Sequence, residues 1–176
     1  MKKWAAALAL AASRNGRYVS ESCREILFSC GFCISASEDR TEFVAQVYRI
    51  LQKLIDAIEV PDVERDDNQQ RRSPLEVRHH EWVRFYNALK EKLGDWDLYR
   101  QVFDPTKDSE TIFGSLADDI ADIYRDLKKG LELKKAYPSQ PEAAIWEWRF
   151  QYYSHWGKHP IDALLAIHFH LQNDAT

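Results

Sequence analysis

Apolar residues recur every three or four positions through several long stretches of this sequence. The clearest case is residues 40–59, where eight apolar side chains follow this spacing: Phe43, Val44, Val47, Ile50, Leu51, Leu54, Ile55 and Ile58. The spacing places these side chains on one face of an α-helix, which completes a turn every ~3.6 residues. Similar stripes occur in residues 74–93 and 116–131. The pattern restricts the chain to a core built from amphipathic helices.

Capping sequences mark where some of these helices begin. In Ser73-Pro-Leu-Glu76 a serine cap precedes a proline in the first turn and a glutamate that can reach back to the cap. We predict helices at residues 4–12, 22–35, 40–59, 74–93, 115–135, 141–157 and 160–172, with a short turn around residues 96–102. Since no stretch alternates apolar and polar residues between turn signals, we predict no strand.

The length of 176 residues fits a single domain. The predicted fold is therefore all-α, a single-domain helical bundle of about six or seven helices. We place this domain at residues 21–176 and treat residues 1–20 as an N-terminal extension that can form a short helix. Residues 61–73 are polar and show no periodicity, which predicts a mobile loop inside the domain.

Charge and hydropathy argue against two classes of partner. The 24 basic and 28 acidic residues give a net charge of −4, whereas proteins that bind nucleic acid through phosphate contacts carry a basic excess. No apolar run approaches the ~20 residues that span a bilayer. The sequence therefore predicts neither a nucleic-acid partner nor a membrane.

The first twelve residues allow two interpretations. Lys2, Lys3 and the alanine-rich run that follows imitate the charged and apolar parts of a secretory signal. Because the apolar run is short and mostly alanine, we interpret it as a helix of a cytoplasmic protein. The alternative is an exported protein from which residues 1–12 are cleaved. Three cysteines confined to residues 23–33 do not resemble a disulfide framework.

Several motifs from Glu42 onward follow a recognisable order. They are DLYRQVFDP at residues 97–105, SLADDIADIYRDL at 115–127, WEWRF at 146–150, HWG at 155–157 and ALLAIH at 163–168. In this order they resemble a bacterial family known only as domain of unknown function 5063. The resemblance implies an all-helical fold and brings no activity with it.

Asp118, Asp119 and Asp122 form a D-D-x-x-D motif, a pattern found on helices that hold magnesium and a diphosphate. Carboxylates four residues apart share a helix face, so Asp118 and Asp122 could together bind a metal. The same face also carries Asp126 and Arg125, opposite the apolar stripe. We interpret it as a solvated, internally neutralised face, with a metal site at Asp118, Asp119 and Asp122 as the alternative.

Four histidines lie near the C-terminus, and three of them are candidates for ligand binding. His155 and His159 have the spacing of paired zinc ligands on one helix, but Pro160 is expected to end or kink that helix. His168 shares a predicted face with apolar residues, so we expect it to be buried and hydrogen-bonded. We favour the interpretation of these histidines as surface or hydrogen-bonded core residues, with a metal role for His155 and His159 as the alternative.

Arg149 is the fourth candidate for ligand binding, because it projects from an aromatic face of the predicted helix 141–157. Two aromatic stripes flank it: Trp148, Tyr152 and Trp156 on one side, and Trp146, Phe150 and Tyr153 on the other. Either its stem lies along the rings while the guanidinium reaches water, or a carboxylate such as Asp119 or Asp126 holds a buried guanidinium.

Cys30 and Cys33 spell the C-x-x-C of thiol oxidoreductases. That chemistry places the pair at a helix N-terminus after a strand. Here the pair lies late in a predicted helix, so we interpret both cysteines as small apolar packing residues.

Two functions follow as hypotheses. The favoured one is a non-catalytic helical domain without a cofactor that binds a protein partner or a second copy of itself. It draws on six Trp, eight Tyr and eight Phe, because surplus aromatic residues favour interfaces. The alternative is a metal-dependent enzyme that acts on a phosphate compound through the Asp-rich helix. The sequence identifies no small-molecule ligand.

Limited proteolysis tests the predicted loop. Residues 62–72 offer no apolar side chain except Val63 to anchor them, so we expect the first internal cut within this stretch. A first internal cut elsewhere, mapped by mass spectrometry, would contradict the prediction.

Overall fold

The computed structural model describes residues 39–57 and 79–174. This part of the chain is mostly helical, as predicted. Its elements, in order, are α1 (Arg40–Ala57), α2 (His79–Leu93), a 3-10 turn (Gly94–Trp96), strands β1 (Leu98–Val102) and β2 (Thr111–Ser115), α3 (Leu116–Ala136), α4 (Pro141–Gln151), a π-helical turn (Tyr152–Trp156) and α5 (Lys158–Asp174). The helices predicted at 4–12 and 22–35, both cysteines of the C-x-x-C motif and the loop at 61–73 lie outside the described residues.

The prediction that the chain has no strand is wrong. β1 and β2 form an antiparallel hairpin in which Leu98 lies opposite Ser115 and Val102 lies opposite Thr111. The turn expected around residues 96–102 is the 3-10 turn followed by β1. The alternation rule missed the hairpin because large apolar side chains such as Leu98 and Phe113 are exposed, so they do not mark a buried face.

Helix α3 occupies the centre of the described structure. It packs against α2, α4 and α5, while α1 packs against α5. The predicted stripes supply most of the core, including Phe43, Val44, Leu51 and Leu54 of α1, and Leu116, Ile120, Ile123 and Leu127 of α3. Each such side chain contributes ~1.5–3 kcal/mol when it is fully buried. No helix among residues 39–57 and 79–174 is long and apolar enough to cross a membrane.

Two side chains hold the N-terminus of α3 against the hairpin. The Ser115 hydroxyl accepts a hydrogen bond from the amide of Asp118, as a helix cap does. Oδ1 of Asp97, just before β1, accepts from the Ser115 hydroxyl at 2.8 Å and from the amide of Ala117 at 2.9 Å. The start of α3, with its aspartates, is therefore fixed relative to β1.

The chain between α4 and α5 is wound differently from the single helix predicted at 141–157. After Gln151 it forms the π-helical turn, closed by a hydrogen bond of 3.0 Å from the amide of Gly157 to the carbonyl of Tyr152. Contrary to the prediction, Pro160 does not end a helix. It lies in the first turn of α5. Proline is tolerated there because the amide of a first-turn residue has no partner within the helix.

The prediction that His168 is buried is wrong. It lies on the exposed side of α5, where Ile161, Leu165 and Phe169 are exposed as well. The buried face of α5 carries Pro160, Ala163, Ala166 and Ile167, and it packs against α1 and α3. The sequence is ambiguous here because α5 has apolar residues on both faces.

Gly130 allows α3 and α4 to pack closely. A Cβ atom at this position would lie 2.0 Å from Nε1 of Trp148. The same Nε1 donates a hydrogen bond of 2.9 Å to the carbonyl of Leu127, so the indole crosses α3 at the glycine.

We expect Gly130→Ala to destabilise the protein by about 1–3 kcal/mol in urea unfolding. Helix propensity alone favours alanine by up to ~1 kcal/mol, but the overlap with the indole forces a shift in a packed core. In a Trp148→Phe background the same change should cost at least about 1 kcal/mol less, because Nε1, the atom that clashes most closely, is gone. Stabilisation by Gly130→Ala in the natural background would contradict this packing.

Candidate metal centre

The acidic face of α3 is buried, so its interpretation as a solvated face is wrong. The exposed fractions of Asp119, Asp122 and Asp126 are 4%, 8% and 5%. Helix α3 has neighbours on more than one side, and side chains from β1, α2, the π-helical turn and α5 all bond to these aspartates. A buried carboxylate requires such partners, because an unpaired buried charge is very costly.

Asp119 binds a histidine and a tyrosine. Its Oδ1 lies 2.7 Å from Nδ1 of His159, and its Oδ2 accepts a hydrogen bond of 2.6 Å from the hydroxyl of Tyr99. Gly114, paired with Tyr99 in the hairpin, makes room for the tyrosine, since a Cβ there would lie 2.5 Å from its ring. Burial and the charge of Asp119 raise the pKa of Tyr99, so the phenol stays protonated and donates.

His159 is oriented by this bond. Burial disfavours a charged imidazole, but the hydrogen bond to Asp119 and the charges of Asp119, Asp122 and Asp118 outweigh it and raise the pKa of His159. The bond occupies Nδ1, so the other ring nitrogen, Nε2, faces Asp122.

Asp126 orients His155 in the same way. Its Oδ2 lies 2.8 Å from Nδ1 of His155, while its Oδ1 lies 3.3 Å from the Arg125 guanidinium. His155 belongs to the π-helical turn and His159 to the first turn of α5. Their ring centroids are 5.3 Å apart. The change of winding between the two histidines therefore leaves both rings on the acidic face of α3.

Asp122 lies between the two imidazoles. Its Oδ1 accepts from Nε1 of Trp82 at 2.9 Å and lies 2.8 Å from the Arg125 guanidinium. Its Oδ2 is 3.5 Å from Nε2 of His155 and 3.8 Å from Nε2 of His159. Normal N–H···O bonds are ~2.7–3.2 Å long. One carboxylate oxygen thus faces two ring nitrogens at distances longer than hydrogen bonds.

These three atoms have the spacing of a metal-ligand set. The ligand atoms of Asp122, His155 and His159 all lie within 4.8 Å of one another. Around a tetrahedral ion with bonds of ~2.0–2.1 Å, ligand atoms are ~3.3–3.4 Å apart, so closure by a few tenths of an ångström would suffice for the two measured distances. Metal-bound histidines usually donate their second N–H to a carboxylate or a carbonyl, and Nδ1 of each histidine here lies 2.7–2.8 Å from a carboxylate oxygen.

The structure separates the residues that sequence analysis grouped as candidates. His155, His159, Asp119 and Asp122 come together, with Asp119 supporting His159 rather than facing the Nε2 atoms. Asp118 is half-buried at the edge of the cluster. His168 lies ~2.5 helical turns beyond His159 on α5.

Arg149 lies outside the cluster. Its guanidinium carbon is 5.7 Å from the ring centroid of Tyr153, an exposed residue. The carboxylates suggested as its partners are bound elsewhere, Asp119 by Tyr99 and His159 and Asp126 by Arg125 and His155. Neither carboxylate forms the predicted pair with Arg149.

The residues that support the site, chiefly Tyr99, Trp82 and Arg125, were not among the candidates predicted from the sequence. One signal was present in the sequence. The i, i+4 spacing of His155 and His159 matches that of Asp122 and Asp126, and also that of Asp118 and Asp122. Two such rows can face each other across a helix pair.

The site defines a helical protein with a cluster of two histidines and one aspartate held by further carboxylates. The family described as domain of unknown function (DUF5063) matches residues 19–173. The chain belongs to this family, as the resemblance indicated.

A comparison with solved structures finds a similar fold. The crystal structure of protein BF1032 from Bacteroides fragilis has 19% sequence identity to this chain and a TM-score of 0.67. The match covers 88% of this chain and 87% of the other. At this identity the likeness concerns the fold alone. Among curated proteins no match is found.

We expect Tyr99→Phe to lower the free energy of unfolding by about 1.5–3 kcal/mol, because it removes a hydrogen bond to a buried charged carboxylate. Chemical denaturation at neutral pH measures the loss. Tyr153→Phe is the matched control; its side chain is exposed, and the change should cost less than about 0.5 kcal/mol. Equal effects of the two changes would refute the role given to Tyr99.

Proposed function

We propose that this protein binds one divalent transition-metal ion through Asp122, His155 and His159, and that the ion serves hydrolytic chemistry. The supporting observation is the convergence of two imidazole Nε2 atoms on one carboxylate oxygen, at 3.5 and 3.8 Å. Two imidazole nitrogens and one carboxylate favour zinc or a similar first-row ion over magnesium.

Hydrogen bonding alone is the simplest competing explanation for the cluster. It accounts for Nδ1 of each histidine, which lies 2.7–2.8 Å from its own aspartate. It does not account for Oδ2 of Asp122, which no imidazole approaches within hydrogen-bond distance. A metal ion between these atoms would satisfy the oxygen and both nitrogens together.

The expected chemistry follows from the number of ligands. Three protein ligands are typical of catalytic zinc sites, where a water molecule takes the fourth position, and four are typical of structural sites. Within the described part of the chain the group has three members, and His155 is exposed. A bound ion would lower the pKa of its water and supply hydroxide near neutral pH.

A phosphate substrate, predicted from the D-D-x-x-D motif, receives little support from the charges. Near the cluster, the Arg125 guanidinium is already paired with Asp122 and Asp126, and the Lys158 ammonium with Asp162. Phosphate sites usually present cations or backbone amides to the ligand. Association with a protein partner or a second copy stays a prediction.

Titration of metal-free protein with Zn²⁺ and Co²⁺ tests the proposal. We expect one equivalent of Zn²⁺ to bind with a Kd of ~1 µM or tighter in isothermal titration calorimetry. Bound Co²⁺ should give the visible absorption of a four- or five-coordinate ion. Added azide should alter that spectrum, because it can enter the open position.

Variants decide whether these residues are the ligands. His155→Ala and His159→Ala should each weaken Zn²⁺ binding at least about a hundredfold, and Asp126→Asn about 10–100-fold through loss of support for His155. His168→Ala is the matched control and should leave binding unchanged. Circular dichroism checks folding, and the exposure of His155 makes that variant the safer one. Unchanged affinity in the His155 and His159 variants would refute the site.

A further inference from the structure

A pocket of about 270 Å³ opens beside the candidate metal centre. The start of α3 and the start of α5 form one side of it, and the hairpin forms the other. The metal-ligand candidate His159 lines it, beside the carboxylates of Asp118, Asp119 and Asp162. Three large apolar side chains, Leu98, Phe103 and Phe113, also line it. A molecule bound here would lie next to an ion held by His159.

The hairpin wall is apolar and unusually exposed. The exposed fractions of Leu98, Phe103 and Phe113 are 60%, 64% and 67%. Large apolar side chains grouped at one pocket mark the part of a site that receives the apolar portion of a ligand.

One carboxylate on the polar side of the pocket has no partner among the described residues. The ammonium of Lys158 is bound by Asp162 and by Oε1 of Gln101, the latter at 2.7 Å, and Asp119 is bound by His159 and Tyr99. Asp118 is half-buried; its amide caps onto Ser115, but its carboxylate makes no hydrogen bond or ion pair with the described parts of the chain. Burial and the charges of Asp122 and Asp119 raise the pKa of Asp118, which a cation beside it would reverse.

The negative charge would persist with a metal bound. The pocket and the metal centre together hold five aspartates, at positions 118, 119, 122, 126 and 162. With neutral imidazoles, these exceed by one the combined positive charge of a divalent ion, Arg125 and Lys158. The surplus favours a cationic ligand over an anionic one.

We propose that this pocket binds a small primary amine whose ammonium group pairs with Asp118 and whose aromatic or other apolar group packs on Phe103 and Phe113. At about 270 Å³ the pocket is slightly smaller than the ~300–1,000 Å³ of typical ligand sites, which suits a ligand the size of an aralkylamine. A chemical role for the amine as substrate rests on the proposed metal site, whereas its binding does not.

Calorimetric titration of metal-free protein with three matched probes tests the charge preference. The probes are phenethylamine, 2-phenylethanol and 3-phenylpropionate, which share a phenyl group and differ in charge. We expect the amine to bind at least tenfold more tightly than the alcohol, and the carboxylate to bind more weakly than either. Equal binding of amine and alcohol, or preference for the carboxylate, would overturn the proposal.

Two pairs of variants locate the contacts. Asp118→Asn should reduce amine affinity at least tenfold and leave the alcohol unaffected, whereas the control Glu110→Gln, in the exposed hairpin loop, should change neither. Phe113→Ala should weaken amine and alcohol alike, and the control Phe169→Ala, exposed on α5, should weaken neither. Unchanged amine binding by both Asp118→Asn and Phe113→Ala would place the amine elsewhere.

The metal-site proposal and the amine-pocket proposal can be refuted independently. Amine binding without metal binding would refute the proposed function and leave the amine pocket standing. Metal binding without preference for the amine would refute the pocket alone. Phe113→Ala should keep the Zn²⁺ affinity of the natural protein, which separates loss of the pocket from loss of the fold.

Discussion

The burial of three aspartates on α3 governs how the rest of the structure is arranged. Each carboxylate needs donors, and the donors come from four other elements: Tyr99 from β1, Trp82 from α2, His155 from the π-helical turn and His159 from α5. Each of these bonds to a buried charged group contributes ~1.5–3 kcal/mol, about as much as one fully buried apolar side chain. The candidate site is thus also part of the scaffold.

Sequence reasoning succeeded where one face of a helix is apolar. The stripe from Phe43 to Leu54 predicted the buried face of α1, the helix that packs against α5 in the described part of the chain. The same reasoning failed on α3, whose polar face is also covered, since periodicity shows which face is apolar but not whether the other meets water. It failed again at the hairpin, where Leu98 and Phe113 are exposed.

Part of the candidate site could be predicted from the sequence. The paired spacings of histidines and aspartates could be read, and His155, His159, Asp119 and Asp122 were all named as candidates. Their grouping could not be predicted, because it depends on how α5 lies against α3. The supporting bonds from Trp82 and Tyr99 span 40 and 20 residues of sequence, and no local pattern reports such contacts.

The π-helical turn has a consequence for how tolerant the site is of change. His155 and His159 are four residues apart, but the chain between them changes from π-helix to α-helix at Gly157. A π-helical turn amounts to one extra residue accommodated in an α-helix. Loss of a residue such as Ser154 from this turn would restore regular winding and turn one histidine away from α3, with every ligand side chain still present. The number of residues in this turn therefore constrains the site as strongly as the identity of its ligands does.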